Sequence, residues 1–271
     1  MKFPIITIKE IRNNLKAIII LAICFGLFFL AFMGMYDPTL FEDMQRLLDG
    51  YPDAIRQMVG DYIALTTFEG FINVYLFSMA WFYFGFYFIL KSAQDIPKEI
   101  DDKTIDIILS KPIKRWQFVI GKYIKHIITA FILVGFSSLG VLIGVFTVPS
   151  INPTEVYFAE IFTVFLWLFV FLVALITTSL VFSTFLTPKR ALTLSFALTI
   201  YFYMTGIFWE AFPEAVQGIK FTSIFYYFET SNLLVNKVWT DVLGNFLILI
   251  GYSAVLLTTS IIIFNKRDIP V

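Results

Sequence analysis

The sequence is poor in the residues that carry redox, metal and acid–base chemistry. Its 271 residues include one cysteine, Cys24, and one histidine, His126. A single cysteine excludes a disulfide within the chain, and one Cys with one His excludes a His/Cys metal site, so no metal is expected. Histidine-dependent catalysis has almost nothing to work with. Charge is scarce too, at 15% of residues against about 25% in ordinary soluble domains. The net formal charge is zero and the pI about 6.6, so no basic excess recruits nucleic acid. A phosphate loop is missing. It requires Gly, four residues, then Gly-Lys-Ser/Thr, whereas Gly121-Lys122 is followed by Tyr123 and no glycine stands five residues earlier. Apolar–polar alternation at period two is also missing, which argues against a membrane β-barrel.

What is present is hydrophobic. Apolar residues make up 59% of the chain and mean hydropathy is +0.82. A hydrocarbon core of roughly 30 Å needs about 20 apolar helical residues. Six uncharged runs meet that length: 17–35, 70–90, 127–148, 161–186, 191–209 and 242–264. Lipid offers no partner to an open backbone, so each run is expected to be helical. The first run follows Lys2, Lys9, Arg12 and Lys16 but is longer than a signal core. Met35-Tyr36-Asp37-Pro38 is a poor processing site, so the run is expected to be retained.

Sixteen of the twenty Lys and Arg residues fall in segments 1–16, 91–125, 187–190 and 265–271. The positive-inside rule then puts both termini in the cytoplasm. The residues Phe3, Ile5, Ile6, Ile8, Ile11 and Leu15, interleaved with Lys9, Arg12 and Lys16, predict an amphipathic interfacial helix feeding the first span. On the far side Leu40, Met44, Leu47, Leu48 and Tyr51 share one helical face, and Ile55, Met58, Val59 and Tyr62 suggest a second short helix. Segment 210–241, with Phe221, Ile224, Phe225, Tyr226, Tyr227 and Phe228, is too apolar for water and is expected at the interface or dipping back. The expected fold is all-α: one transmembrane domain over 1–271, six spans, an N-terminal amphipathic helix, a cytoplasmic helix between spans 2 and 3, and short outer helices after spans 1 and 5.

The loop between the second and third spans is the informative segment. Asp95 and Pro97 suit a helix start, and Ser110-Lys111-Pro112 a stop, which predicts a helix of about 13 residues. Ile100, Thr104, Ile107 and Ile108 lie on one face, with Lys98, Asp101, Asp102 and Asp106 over the other. That stripe either meets a partner or packs beneath the chain's own helices.

The pattern Glu99, Thr104, Asp106, Leu109-Ser110, Pro112, Arg115-Trp116 and Gly121-Lys122 resembles the first cytoplasmic loop of ABC-2 type transporter permeases. That family usually has glycine before the threonine; here Lys103 stands there, and lysine, unlike glycine, does not weaken a helix. The resemblance implies a coupling helix that docks on a separate ATPase subunit through Glu99, Asp101, Asp102, Thr104, Asp106, Leu109 and Arg115. It further implies two ATPase copies that hold ATP and Mg, a second permease chain, identical or related, a prokaryotic plasma membrane, and no catalytic site or cofactor in this chain. The bland alternatives are a Glu99–Lys103 pair within the helix and Lys114 and Arg115 resting on lipid phosphates.

Within the spans, Asn73, Thr177, Tyr201 and Tyr203 are candidates for a substrate path, against the plainer roles of helix-to-helix hydrogen bonding and an aromatic belt. Gly140-x-x-x-Gly144 permits a close helix contact, either within the subunit or across a dimer. No charge lies mid-span, which argues against a proton-coupled pump. Three other readings compete with an ATP-driven exporter. A channel or secondary transporter calls for broken helices with Gly and Pro, of which the sequence gives no sign. A lipid-modifying membrane enzyme needs a different acid spacing. A mechanical anchor that docks an ATPase without moving cargo fits the same residues.

Overall fold

The computed structural model describes residues 4–39, 67–105 and 113–268, and every regular element among them is a helix. The first, α1 (Pro4–Met33), is continuous. The amphipathic stretch expected as a separate interfacial helix is therefore the beginning of the first span's own helix, since no proline interrupts it after Pro4. The outer helices expected over 40–62 lie outside the described residues.

The second span is irregular. α2 (Phe68–Ile72) passes into a π-helical turn at Asn73–Phe77, a second follows at Trp81–Gly85, and α3 (Phe86–Asp101) completes it. Such wide turns are rare and recur at functional sites. Unbroken spans were expected, and this is a correction. No proline stands in or beside these turns, so the sequence held no warning of them.

α4 (Arg115–Thr147), α5 (Phe158–Phe185), α6 (Pro188–Ile207) and α8 (Val242–Lys266) cover the remaining expected spans. Five stretches are long and apolar enough to cross a membrane: Glu10–Met33, Phe68–Asp101, Arg115–Thr147, Phe158–Phe185 and Val242–Lys266. The helix at the fifth expected span, α6, has 20 residues, roughly 30 Å. Lys189 and Arg190 at its start, with Thr193, Ser195, Thr199 and Thr205 along it, dilute its apolar character.

α5 is the central post and touches α3, α4, α6 and α8. Its most apolar stretch is 78% buried, against 17% for those of α1 and α8, which turn apolar faces outward toward lipid. α1 lies along α4. A Cβ on Gly140 would stand 2.2 Å from the carbonyl oxygen of Gly26, and one on Gly144 2.3 Å from Met33 Cγ. The small-residue pair left open between an internal and a dimer contact is thus used inside the subunit.

Beyond α6 the chain makes 3-10 turns at Trp209–Ala211 and Glu214–Thr222, then α7 (Thr230–Leu234). Ile224, Phe225 and Phe228 between them are buried. Phe228 stacks on Phe171 of α5 at 4.6 Å, and Trp167 Nε1 donates to the carbonyl of Tyr227 at 2.9 Å. The apolar outer segment is folded back into the bundle.

Candidate functional site

Charged side chains from three helices converge at the end of the bundle that carries the 95–115 loop. Asp95 and Glu99 are four residues apart on α3; Lys122, Lys125 and His126 stand three and four apart on α4; and α1 contributes Glu10. Residues at those spacings share a helix face, so each set points the same way. Lys122 Nζ lies 2.6 Å from Glu10 and 3.4 Å from Asp95, and also pairs with Glu99. Lys125 pairs with Asp95 and sits 3.2 Å from Glu10. His126 Nε2 donates to Asp95 at 3.0 Å.

Lys122 is 2% exposed. An ammonium at that depth is costly unless acids surround it, and here three do. The cluster therefore pins α1, α3 and α4 to one another. Its acids face lysines, and no group of acids and histidine among the described residues could hold a metal ion.

The sequence reading missed Glu10, Lys122, Lys125 and His126, and gave Asp95 a capping role. Asp95 instead lies inside α3, because the helix does not start at Pro97. It runs through Pro97 from the second span and ends at Asp101. The separate 13-residue helix is thus corrected over its first half, and its second half, including Asp106 and Leu109, lies outside the described residues. Pro97 lies about one turn before the end of this helix, and the amide of Ile96 beside it donates to Ser183 Oγ of α5 at 3.2 Å.

The helix ends in a Schellman turn. The amide of Lys103 donates to Ile100 O at 3.1 Å and that of Thr104 to Glu99 O at 3.0 Å. Thr104 Oγ1 adds a third bond to Glu99 O at 3.2 Å. Lys103 is held at φ 55°, the left-handed region that glycine favours. Lys103, expected to leave the helix unweakened, instead stands at the turn that ends it.

Of the expected docking residues, Asp101, Asp102 and Thr104 are exposed on this turn. Glu99 faces inward on Lys122, not along its helix to Lys103. Arg115 Nη1 donates to the carbonyls of Arg267 at 2.6 Å and Asn265 at 3.3 Å, tying the start of α4 to the end of α8. Of the apolar stripe, Ile100 packs against the buried Ile96, Ile105, Phe118, Val119, Leu180 and Phe264, Thr104 is exposed, and Ile107 and Ile108 lie outside the described residues. At Ile100 the stripe seats on the chain's own helices.

The candidate path residues are not brought together. Asn73 Oδ1 accepts from Thr230 Oγ1 at 2.6 Å. Thr177 donates to Val173 O at 2.6 Å within its own helix. Tyr201 reaches Thr222 at 3.4 Å. Tyr203 packs on Trp81, ring to ring at 4.7 Å, beside the second π-helical turn. The buried Trp81 Nε1 has no hydrogen-bond partner among the described residues.

At the opposite end a cavity of about 400 Å³ is walled by Trp167, Tyr226, Tyr227, Glu229 and Asp241. Burial, then repulsion from Asp241 and Glu210, raises the carboxyl pKa of Glu229 above its usual 4.5, with Lys220 opposing.

No curated protein and no solved structure matches the chain. A family model described as ABC-2 family transporter protein matches residues 5–269. With that match over nearly its whole length, the multi-helix membrane chain belongs to the ABC-2 transporter family.

Proposed function

We propose that this chain is the transmembrane permease subunit of an ATP-binding-cassette exporter, driven by a separate ATPase subunit. The observation that carries the reading is the exposed Asp101–Thr104 turn. It stands at the tip of a helix continuous with the second span and is anchored by the Glu10–Asp95–Glu99–Lys122–Lys125 cluster. A push on that turn is transmitted through rigid helix to three elements at once. Asp101, Asp102 and Thr104 form the docking edge among the described residues, and Asp106 and Leu109 are assigned to docking from the loop's resemblance alone. Glu99 and Arg115 act from behind as positioning residues.

The working assembly contains two ATPase copies holding ATP and Mg, and two permease chains, identical or related. It sits in a prokaryotic plasma membrane with the charged cluster and both termini on the cytoplasmic side. Nothing catalytic is assigned to this chain. Asn73, in the first π-helical turn, and Tyr203, packed on Trp81 of the second, are the strongest of the four candidate path residues; Thr177 and Tyr201 are weaker.

The test is co-purification from detergent with a candidate ABC ATPase. Wild type should co-elute, and Asp101→Lys with Asp102→Lys should lose the partner while the chain alone keeps its melting temperature. A chain that binds no ABC ATPase at low salt with lipid present overturns the reading.

A further inference from the structure

The hollow of about 400 Å³ at the end opposite the docking turn carries charge of one sign. Among the described residues its wall holds two carboxylates, Glu229 just before α7 and Asp241 just before α8, and no lysine, arginine or histidine. Both acids stand where a side chain commonly caps a helix, yet neither makes a capping bond. Neither forms an ion pair among the described residues.

The surroundings do not cancel this charge. Of the groups that act on Glu229, Asp241 and Glu210 repel it and Lys220 attracts it. Three acids against one ammonium leave the region net negative. Lys220 is moreover seated elsewhere: its Nζ lies over the Trp209 ring, 3.5 Å from the centroid. Partial burial, then repulsion from Asp241 and Glu210, holds the Glu229 carboxyl pKa above 4.5, so a second cation brought beside it is stabilised.

Much of the remaining wall is aromatic, with Trp167, Phe221, Tyr226 and Tyr227. Tyr226 meets Phe221 edge-on at 5.3 Å and Tyr227 at 5.4 Å. The Tyr227 hydroxyl donates to the carbonyl of Phe221 at 3.0 Å, which ties the rings into one set. Ring faces attract cations, and Lys220 Nζ, 5.1 Å from the Tyr226 centroid, shows this lining doing so. A metal ion uses little of such a wall. Hard cations want six or more oxygens, and no group of three acids or histidines among the described residues is placed to hold one. An organic ammonium uses both parts, its charge against the acids and its hydrocarbon against the rings.

We propose that this hollow binds an organic ammonium ion, its nitrogen beside Glu229 and Asp241 and its hydrocarbon groups against Trp167, Tyr226 and Tyr227. The site lies away from the Asp101–Thr104 turn, so it does not rest on the ATPase reading and is tested without any ATPase.

The test is titration calorimetry on the full chain in an uncharged detergent. The probes are benzyltrimethylammonium, choline, choline's uncharged isostere 3,3-dimethylbutan-1-ol, and magnesium chloride. At least one ammonium should bind, and the isostere should bind roughly tenfold or more weaker than choline. Asp241→Asn and Glu229→Gln keep the shape of the wall and should each weaken ammonium binding by roughly fivefold to tenfold without lowering the melting temperature. Tyr226→Ala should weaken it by roughly fivefold, while Tyr226→Phe, which keeps the ring, leaves it unchanged. Equal binding of choline and its isostere overturns the proposal in favour of a plain apolar hollow. Binding of magnesium alone overturns it in favour of a metal site. Failure of both ammonium ions to bind, or binding that neither acid variant weakens, also overturns it.

Discussion

Lys103 sits at a backbone angle that costs an L-residue roughly 1–2 kcal/mol, and the turn holds it there with the bonds from Lys103 and Thr104 to Ile100 and Glu99. Replacing it with glycine removes the clash and leaves those bonds intact. Lys103→Gly should stabilise the chain by up to about 1 kcal/mol after glycine's greater unfolded-state entropy is offset, read as a raised melting temperature in detergent. A lowered melting temperature would mean that the lysine side chain itself contributes to the turn. Glu229 is the second informative residue. Its raised carboxyl pKa means that the folded state holds the proton more tightly than the unfolded chain. Its contribution is intact below the ordinary carboxylate range and is lost as pH rises from 4.5 through the higher folded value. Glu229→Gln should therefore gain stability relative to wild type progressively from pH 4.5 upward; a difference that stays flat with pH contradicts this.

At the scale of elements, the α1–α4 contact depends on the absence of a side chain. The Cβ of an alanine at 140 would overlap the carbonyl of Gly26, which cannot rotate away, whereas one at Gly135, on the same helix, would meet nothing within 4 Å. Gly140→Ala should cost about 1–3 kcal/mol through overpacking. Gly135→Ala should gain about 0.5–1 kcal/mol from helix propensity. Melting of the two variants side by side checks the pair, and equal effects would show that α1 is not seated on α4. α3 makes a related point. It carries Pro97 in its interior, with the neighbouring Ile96 amide donating to Ser183 of α5, so a proline that reads locally as a helix start lies inside a longer helix.

At the scale of the whole molecule, the charged cluster ties α1, α3 and α4 through the same groups. Removing the central cation leaves Glu10, Asp95 and Glu99 facing one another with Lys125 alone to balance them. Lys122→Met should cost about 3–5 kcal/mol, the usual penalty for orphaning buried charge. Adding Glu99→Gln should recover part of the loss, because one repelling acid is gone. Thermal melting of the single and double variants decides it: a double variant less stable than Lys122→Met means that Glu99 has a partner other than Lys122.

The sequence by itself determined that the chain lives in lipid and where its helices lie, because a solvent that cannot bond to backbone forces long uncharged runs. The runs at 161–186 and 242–264 became α5 and α8 for that reason. The loop pattern from Glu99 to Lys122 pointed to the family that the match over 5–269 shows. The tertiary structure alone decided how the charges are used. Glu10, Asp95 and Lys122 are far apart in the chain, and the sequence reading made Asp95 a cap and Glu99 either a docking acid or the partner of Lys103. It also decided that lysine makes the bend at 103 and that the second span opens into π-helical turns at 73–77 and 81–85. Ion pairing between helices is a non-local term that no periodicity in a single segment encodes, and the left-handed turn at Lys103, though its bonds are local, leaves no mark in helical periodicity either.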